Sequence, residues 1–161
     1  MKLIRSCVEL VNQEYSKTGI FKHIELCGRV SYKSENKITD DSANEFVFRR
    51  IQDGHTAILE QATIYLEFPH SQSSMDFLTD AFTIDPKVLR YIDNPYSRVV
   101  TDNKMSYVTT NYRVLYENRW LDDLYNMCAP RDKHIKRYTF KIYTNRGVTH
   151  ELVRHKELCV A

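Results

Sequence analysis

Residues Arg146 to Lys156 read RGVTHELVRHK and contain HELVRH, close to the H-E-x-x-H signature with which two histidines hold zinc. That chemistry needs histidines four residues apart, because about 100° per residue leaves such a pair about 40° apart on one helix face. Here the offset is five, so His150 and His155 point about 140° apart, and Arg154 is the residue that shares the face of His150. A guanidinium cannot ligate a metal, and no metal site is expected. The spacing instead sets up a cationic ladder. Arg146, His150 and Arg154 recur every four residues, with His155 and Lys156 turning off beside them. Guanidiniums arrayed in this way suit bidentate contacts to phosphate, and an imidazole can stack on, or hydrogen-bond to, a flat heterocycle. The implied ligand is phosphorylated and planar. The same pattern also suits a solvated helix face with Val148, Leu152 and Val153 on the buried side, and charge alone does not choose between the two.

A second segment of this kind is GHTAILEQ, where His55 lies just past a helix end and Glu60 opens the next strand. Both could project at a sheet rim, where ligands bind; the plainer reading is a histidine favoured by a helix C-terminus and a solvated glutamate. Cys159 and His155 fall at i and i+4 and could form a nucleophile pair, although a bystander thiol fits equally simple rules. Tyr107 and Tyr112 with Arg113 could stack on bases, or pack within a sheet. The chain contains no G-x-x-x-x-G-K loop, no G-x-G-x-x-G and no G-x-S-x-G, which argues against a P-loop hydrolase, a Rossmann dehydrogenase and a serine hydrolase.

The elements that must position these residues follow from apolar periodicity. Met1 to Leu10 suits a strand running into a short helix, and IFKHIELCGRVSY a helix ending near Tyr32. SENKITDD reads as a loop. Asp40, Asp41 and Ser42 are N-cap candidates for the helix SANEFVFRRIQDG, which Gly54 closes. ATIYLEF alternates as a strand stopped by Pro69. Between His70 and Lys136, SSMDFLTDAF and ENRWLDDLYNMC look helical, while SRVVTD and MSYVTTNY look like hairpin arms joined around Asp102 and Asn103. KRYTFKIYT is a strand, and NRGVTHELVRHKEL a helix entered through a turn at Asn145 to Gly147. This mixed order predicts an α+β fold, not a doubly wound sheet.

Composition agrees with one ordinary globular domain: 161 residues, 42% hydrophobic, 27% charged, with four glycines and four prolines. A net charge of +2 is too small to argue for nucleic acid as a partner. Cys7, Cys27, Cys128 and Cys159 are too scattered for a disulfide framework, and there is neither a secretory leader nor a membrane-spanning run. A cytoplasmic protein without membrane partners is expected.

The stretches CGRVSYKSENKITDDSA, GHTAILEQATIYLEF and above all RGVTHELVRHK resemble the flavin-dependent thymidylate synthases, the ThyX family. The resemblance runs in order along nearly the whole chain. It implies a single domain over residues 1–161, with an insertion over 70–135 between the two motifs. The implied fold is an α/β arrangement of helices around a curved, mostly antiparallel sheet, assembled as a homotetramer. The implied reaction methylates dUMP to dTMP: methylenetetrahydrofolate supplies the carbon, NADPH the reducing power and bound FAD the hydride, without a cysteine nucleophile.

In residue terms the resemblance implies that Arg154 and His155 occupy the first two positions of the family's R-H-R-x7-S signature and bind FAD. Lys156 stands at the third, where lysine keeps the charge but loses the bidentate fork. His55 matches the flavin-contacting histidine, Glu60 the carboxylate after it, and Ser31 the serine that approaches the FAD phosphate. Gln61 replaces a second histidine, and Ala57 a frequent serine or threonine. The signature serine and the residues that grip dUMP would fall beyond Ala161, so a C-terminally incomplete domain is expected, with its catalytic residues outside the chain. An alternative is a non-catalytic, degenerate fragment that oligomerises or binds nucleotide weakly. A second is an RNA-binding module built on Tyr107, Tyr112 and Arg113.

Overall fold

A computed structural model describes residues 5–72 and 82–144. The chain enters through strand β1 (Cys7–Val11) and then helix α1 (Lys17–Ser31). α1 starts earlier than apolar spacing suggests because Ser16 caps it, its hydroxyl accepting from Gly19 N at 3.0 Å. The short helix expected directly after the first strand is replaced by coil up to Ser16. Helix α2 (Ser42–Gln52) follows; Asp41 stands at its N-cap without a side-chain bond, while Ser42 Oγ accepts from Thr39 N at 2.9 Å. A 3-10 turn (Thr56–Gln61) leads into β2 (Thr63–Pro69), which ends at its proline as expected.

The short strands β3 (Ser71–Gln72) and β4 (Phe82–Thr83) pair with each other. The SSMDFLTDAF helix lies outside the described residues except for Phe82, which begins β4. Helix α3 (Pro86–Ile92) precedes the hairpin arms β5 (Arg98–Thr101) and β6 (Met105–Asn111). Their turn closes where Asp102 and Asn103 suggested: Asp102 Oδ1 accepts from Lys104 N at 2.8 Å and Met105 N at 2.9 Å. ENRWLDDLYNMC is not one helix. It divides between helix α4 (Tyr112–Glu117) and a 3-10 turn (Leu121–Asn126), because Arg119 adopts φ 61°, which interrupts the helical hydrogen bonds. Strand β7 (Thr139–Tyr143) completes the described chain.

The result is α+β. Among the described residues the strands form three separate antiparallel sheets, ordered β2-β6-β5, β1-β7 and β3-β4. β6 is central and pairs with β2 from Thr63↔Asn111 to Pro69↔Met105, so the middle of the chain supplies the backbone of the largest sheet. Ile64, Leu66 and Phe68 of β2 share the core with Ile20 and Ile24 of α1, Val47 of α2, Leu59, Val88, Tyr91, Val108 and Leu115. At Gly28 an added Cβ would lie 2.3 Å from Ile58 Cδ1 and 2.7 Å from Phe46 Cζ. Only glycine lets α1, α2 and the Thr56–Gln61 turn approach this closely.

His23 of α1 reaches Thr139 Oγ1 of β7 at 3.1 Å, and His134 is held between Leu66 O (3.1 Å) and Arg131 N (2.9 Å). Burial pushes both imidazoles below the usual histidine range. In the unfolded chain they titrate near the ordinary value of about 6.5, so there the unfolded state binds more protons than the folded state. Their contribution to stability is therefore complete above about pH 6.5 and is lost as pH falls from there toward the lowered folded-state values. Melting temperature should drop on acidification through this window, and should drop less in the His23→Gln, His134→Gln double variant. An equal drop in both proteins would refute the assignment.

Candidate functional site

The site is built from the end of α2. Asp53 caps the helix, Gly54 takes φ 75°, Gly54 N donates to Ile51 O at 3.0 Å and His55 N to Arg50 O at 2.8 Å. This pair of bonds is a Schellman closure, and it needs a residue that tolerates positive φ. It fixes the backbone of His55 while leaving the side chain exposed, as the sequence suggested. The chain then winds through the Thr56–Gln61 turn, whose Leu59 is fully buried, and brings Glu60 to a half-buried position at the other end. Glu60 therefore sits in a 3-10 turn and not at the opening of the strand, which starts at Thr63.

Glu60 does not stand alone. Arg113 of α4 forms an ion pair with it, and through Nε bonds Glu117 Oε1 at 2.7 Å, while Thr56 Oγ1 donates to the same Glu117 oxygen at 2.8 Å. Glu117, then Glu60, hold the Arg113 guanidinium above its ordinary range; Arg113, then Thr56, hold the Glu117 carboxyl below its own. α4 is seated by Asn111, whose side chain accepts from Val114 N at 3.0 Å, and by Tyr112 N donating to Ala62 O at 3.1 Å. The result is a cluster of two carboxylates bridged by one guanidinium, tied through Thr56 to the residue after the exposed His55. Periodicity offered only one clue to Arg113 and Glu117, their i,i+4 spacing on a short helix. The link to Glu60, 53 residues away, has no local signature.

Ser31 is the last residue of α1, exposed, with Oγ donating to Cys27 O at 3.3 Å. The Gly28–Ile58 approach packs this end of α1 against the turn that carries His55 and Glu60. Next to it opens a pocket of about 240 Å³ lined by Arg29, Tyr32, Phe46, Arg49 and Arg50 among others. Arg29 lies 4.9 Å over the Phe46 ring and pairs with Glu25, and Arg50 pairs with Asp53 at 2.8 Å. Ala57 is exposed and Gln61 half-buried. Arg146, His150, Arg154, His155, Lys156 and Cys159 lie outside the described residues.

Two other groupings resolve into structural roles. Tyr112 is buried edge-on to Phe21, with centroids 5.4 Å apart, and is not available for base stacking. Glu67, Cys128 and His134 bring three potential metal donors within 4.8 Å of one another. His134 Nδ1 already accepts from Arg131 N, Nε2 faces Leu66 O, and Glu67 accepts from Arg131 Nε at 3.2 Å. Arg131 thus already engages His134 Nδ1 and one Glu67 oxygen. Burial pushes the Cys128 thiol up to about 11, as it does that of Cys27. The trio braces the segment after Met127 against β2 and keeps its thiol protonated at neutral pH.

Among the described residues no helix is long and apolar enough to cross a membrane. No protein-family model, no curated protein and no solved structure matches the chain.

Proposed function

We propose that this chain is an FAD-binding polypeptide of the flavin-dependent thymidylate synthase type, the type of enzyme that methylates dUMP to dTMP with methylenetetrahydrofolate and NADPH, without the catalytic residues to do so alone. The observation that carries the reading is the Schellman closure at Gly54. It leaves His55 exposed at the entrance to the Thr56–Gln61 turn, which carries Glu60 and against which the last turn of α1 packs.

The donor set suits a flat, phosphorylated cofactor. His55 offers a ring to stack on or hydrogen-bond to a heterocycle, and Glu60, which shares Arg113 with Glu117, can still accept from a ligand N–H or hydroxyl. Ser31 offers lone pairs and a donor it can redirect, and the arginine-lined pocket beside it suits a phosphate-bearing portion. Arg154 and His155 would add the bidentate and imidazole contacts that the resemblance assigns them, and Lys156 a point charge. FAD, when bound, supplies the hydride chemistry. The protein residues fix its plane and neutralise its phosphates.

Flavin binding is the direct test. The purified chain should quench FAD fluorescence saturably, and FAD should raise its melting temperature by linkage. His55→Ala should weaken binding at least tenfold, about 1.4 kcal/mol, without changing the fold by circular dichroism. A chain that leaves FAD fluorescence and melting unchanged would sink the proposal and favour the non-catalytic alternative.

A further inference from the structure

The β1–β7 ribbon presents an apolar surface with nothing on it among the described residues. Its register sets Val8 opposite Ile142 and Leu10 opposite Phe140. Side chains alternate across a strand, so these four share one face, and they are 63%, 45%, 52% and 54% exposed respectively. The opposite face is the one tied to the body: Thr139 bonds His23, and Lys141 pairs with Glu35 at 3.4 Å. An isolated two-stranded ribbon is marginal in water, and two stacked apolar cross-strand pairs are a surface that soluble proteins normally cover.

We propose that this face is covered by the chain's own residues 145–161. Three properties of the sequence point to that occupant. The first is continuity: β7 ends at Tyr143, so the segment leaves from the rim of this very face, and consecutive elements normally pack as neighbours. Amphipathicity is the second. On a helical period Val148, Leu152 and Cys159 fall within about 40° of one another with His155 beside them, while Arg146, His150 and Arg154 cluster on the opposite side, where Val153 also falls. The third is length: a five-residue strand spans about 17 Å, and the run 148–158 as a helix spans about 16 Å. A single return pass would cover both cross-strand pairs.

This docking goes beyond the flavin reading and would cost it one contact, since it turns His155 toward the ribbon while Arg154 stays outside. Seated apolar side down, the segment would hold Arg146, His150 and Arg154 on its outer surface as a fixed array. The ribbon would then act as the base that orients the cationic ladder.

Photo-crosslinking in the full chain tests this. p-Benzoylphenylalanine replaces Phe140, or in a second protein Leu10; both sites are exposed, so neither change burdens the fold. Irradiated protein is digested and the adducts mapped by mass spectrometry. Adducts within one chain to residues 147–161 are expected from both positions. Adducts between two chains would instead make the face a self-association surface, and recovery of the unreacted benzophenone from both positions would show it uncovered; either result overturns the proposal. Flavin binding is scored separately, so failure here is distinct from failure of the synthase reading.

Discussion

Leu59→Ala is expected to cost about 2–5 kcal/mol of folding stability and to weaken flavin binding in the same protein. Leu59 has no exposed surface, and it lies midway through the turn whose ends are His55 and Glu60. Removing its isopropyl group leaves a cavity in the core cluster that also holds Ile20, Ile64 and Leu115, which the helices cannot fully close. The same substitution frees the turn that sets the spacing between the imidazole and the carboxylate. Urea unfolding should show a lower midpoint with an unchanged slope, and FAD titration a weaker affinity. A loss below about 1 kcal/mol would mean that the turn is not anchored through this side chain.

Asp123→Ala should be comparably costly, about 3–5 kcal/mol, for an electrostatic reason. Asp123 is 1% exposed in the second 3-10 turn, ion-paired with Arg90 and accepting from Tyr91 OH at 2.5 Å. Arg90 also lies 4.6 Å over the Trp120 ring, so α3 is fastened to the Leu121–Asn126 turn through one carboxylate. Burial first, then Asp123, push the Tyr91 phenol far above its usual range, so it remains the donor at any ordinary pH. Deleting the carboxylate leaves a buried hydroxyl and a half-buried guanidinium without their partner. Asp123→Asn, which keeps the shape and one acceptor, should recover part of the loss. If alanine and asparagine variants both unfold at the wild-type urea midpoint, the cluster is only a surface ornament.

The sequence made much of this architecture legible where a local rule was decisive. Gly54 after an amphipathic run marked the closure that presents His55, Pro69 marked the end of β2, and Asp102 with Asn103 marked the β5–β6 turn. Local rules fail where the deciding partner is distant. Nothing near Glu60 announces Arg113, and nothing in ENRWLDDLYNMC announces that Arg119 will adopt positive φ and divide it. Apolar spacing also misplaced the start of α1, because one hydroxyl at Ser16 outweighed it. Of the residues expected to hold a cofactor, Ser31, His55 and Glu60 fall in two elements that touch through Gly28 and Ile58. Arg154, His155 and Lys156 lie outside the described residues.

Pairing of residues 7–11 with 139–143 also dictates a timetable. β1 leaves the ribosome well before its partner, which follows only after more than a hundred further residues, on the order of ten seconds of synthesis. The β2-β6-β5 sheet and the helices around it can condense earlier, since their strands lie closer together in sequence. Joining the ribbon is thus a late, high-contact-order step, and until then the nascent chain carries an unpaired strand edge that chaperones must shield.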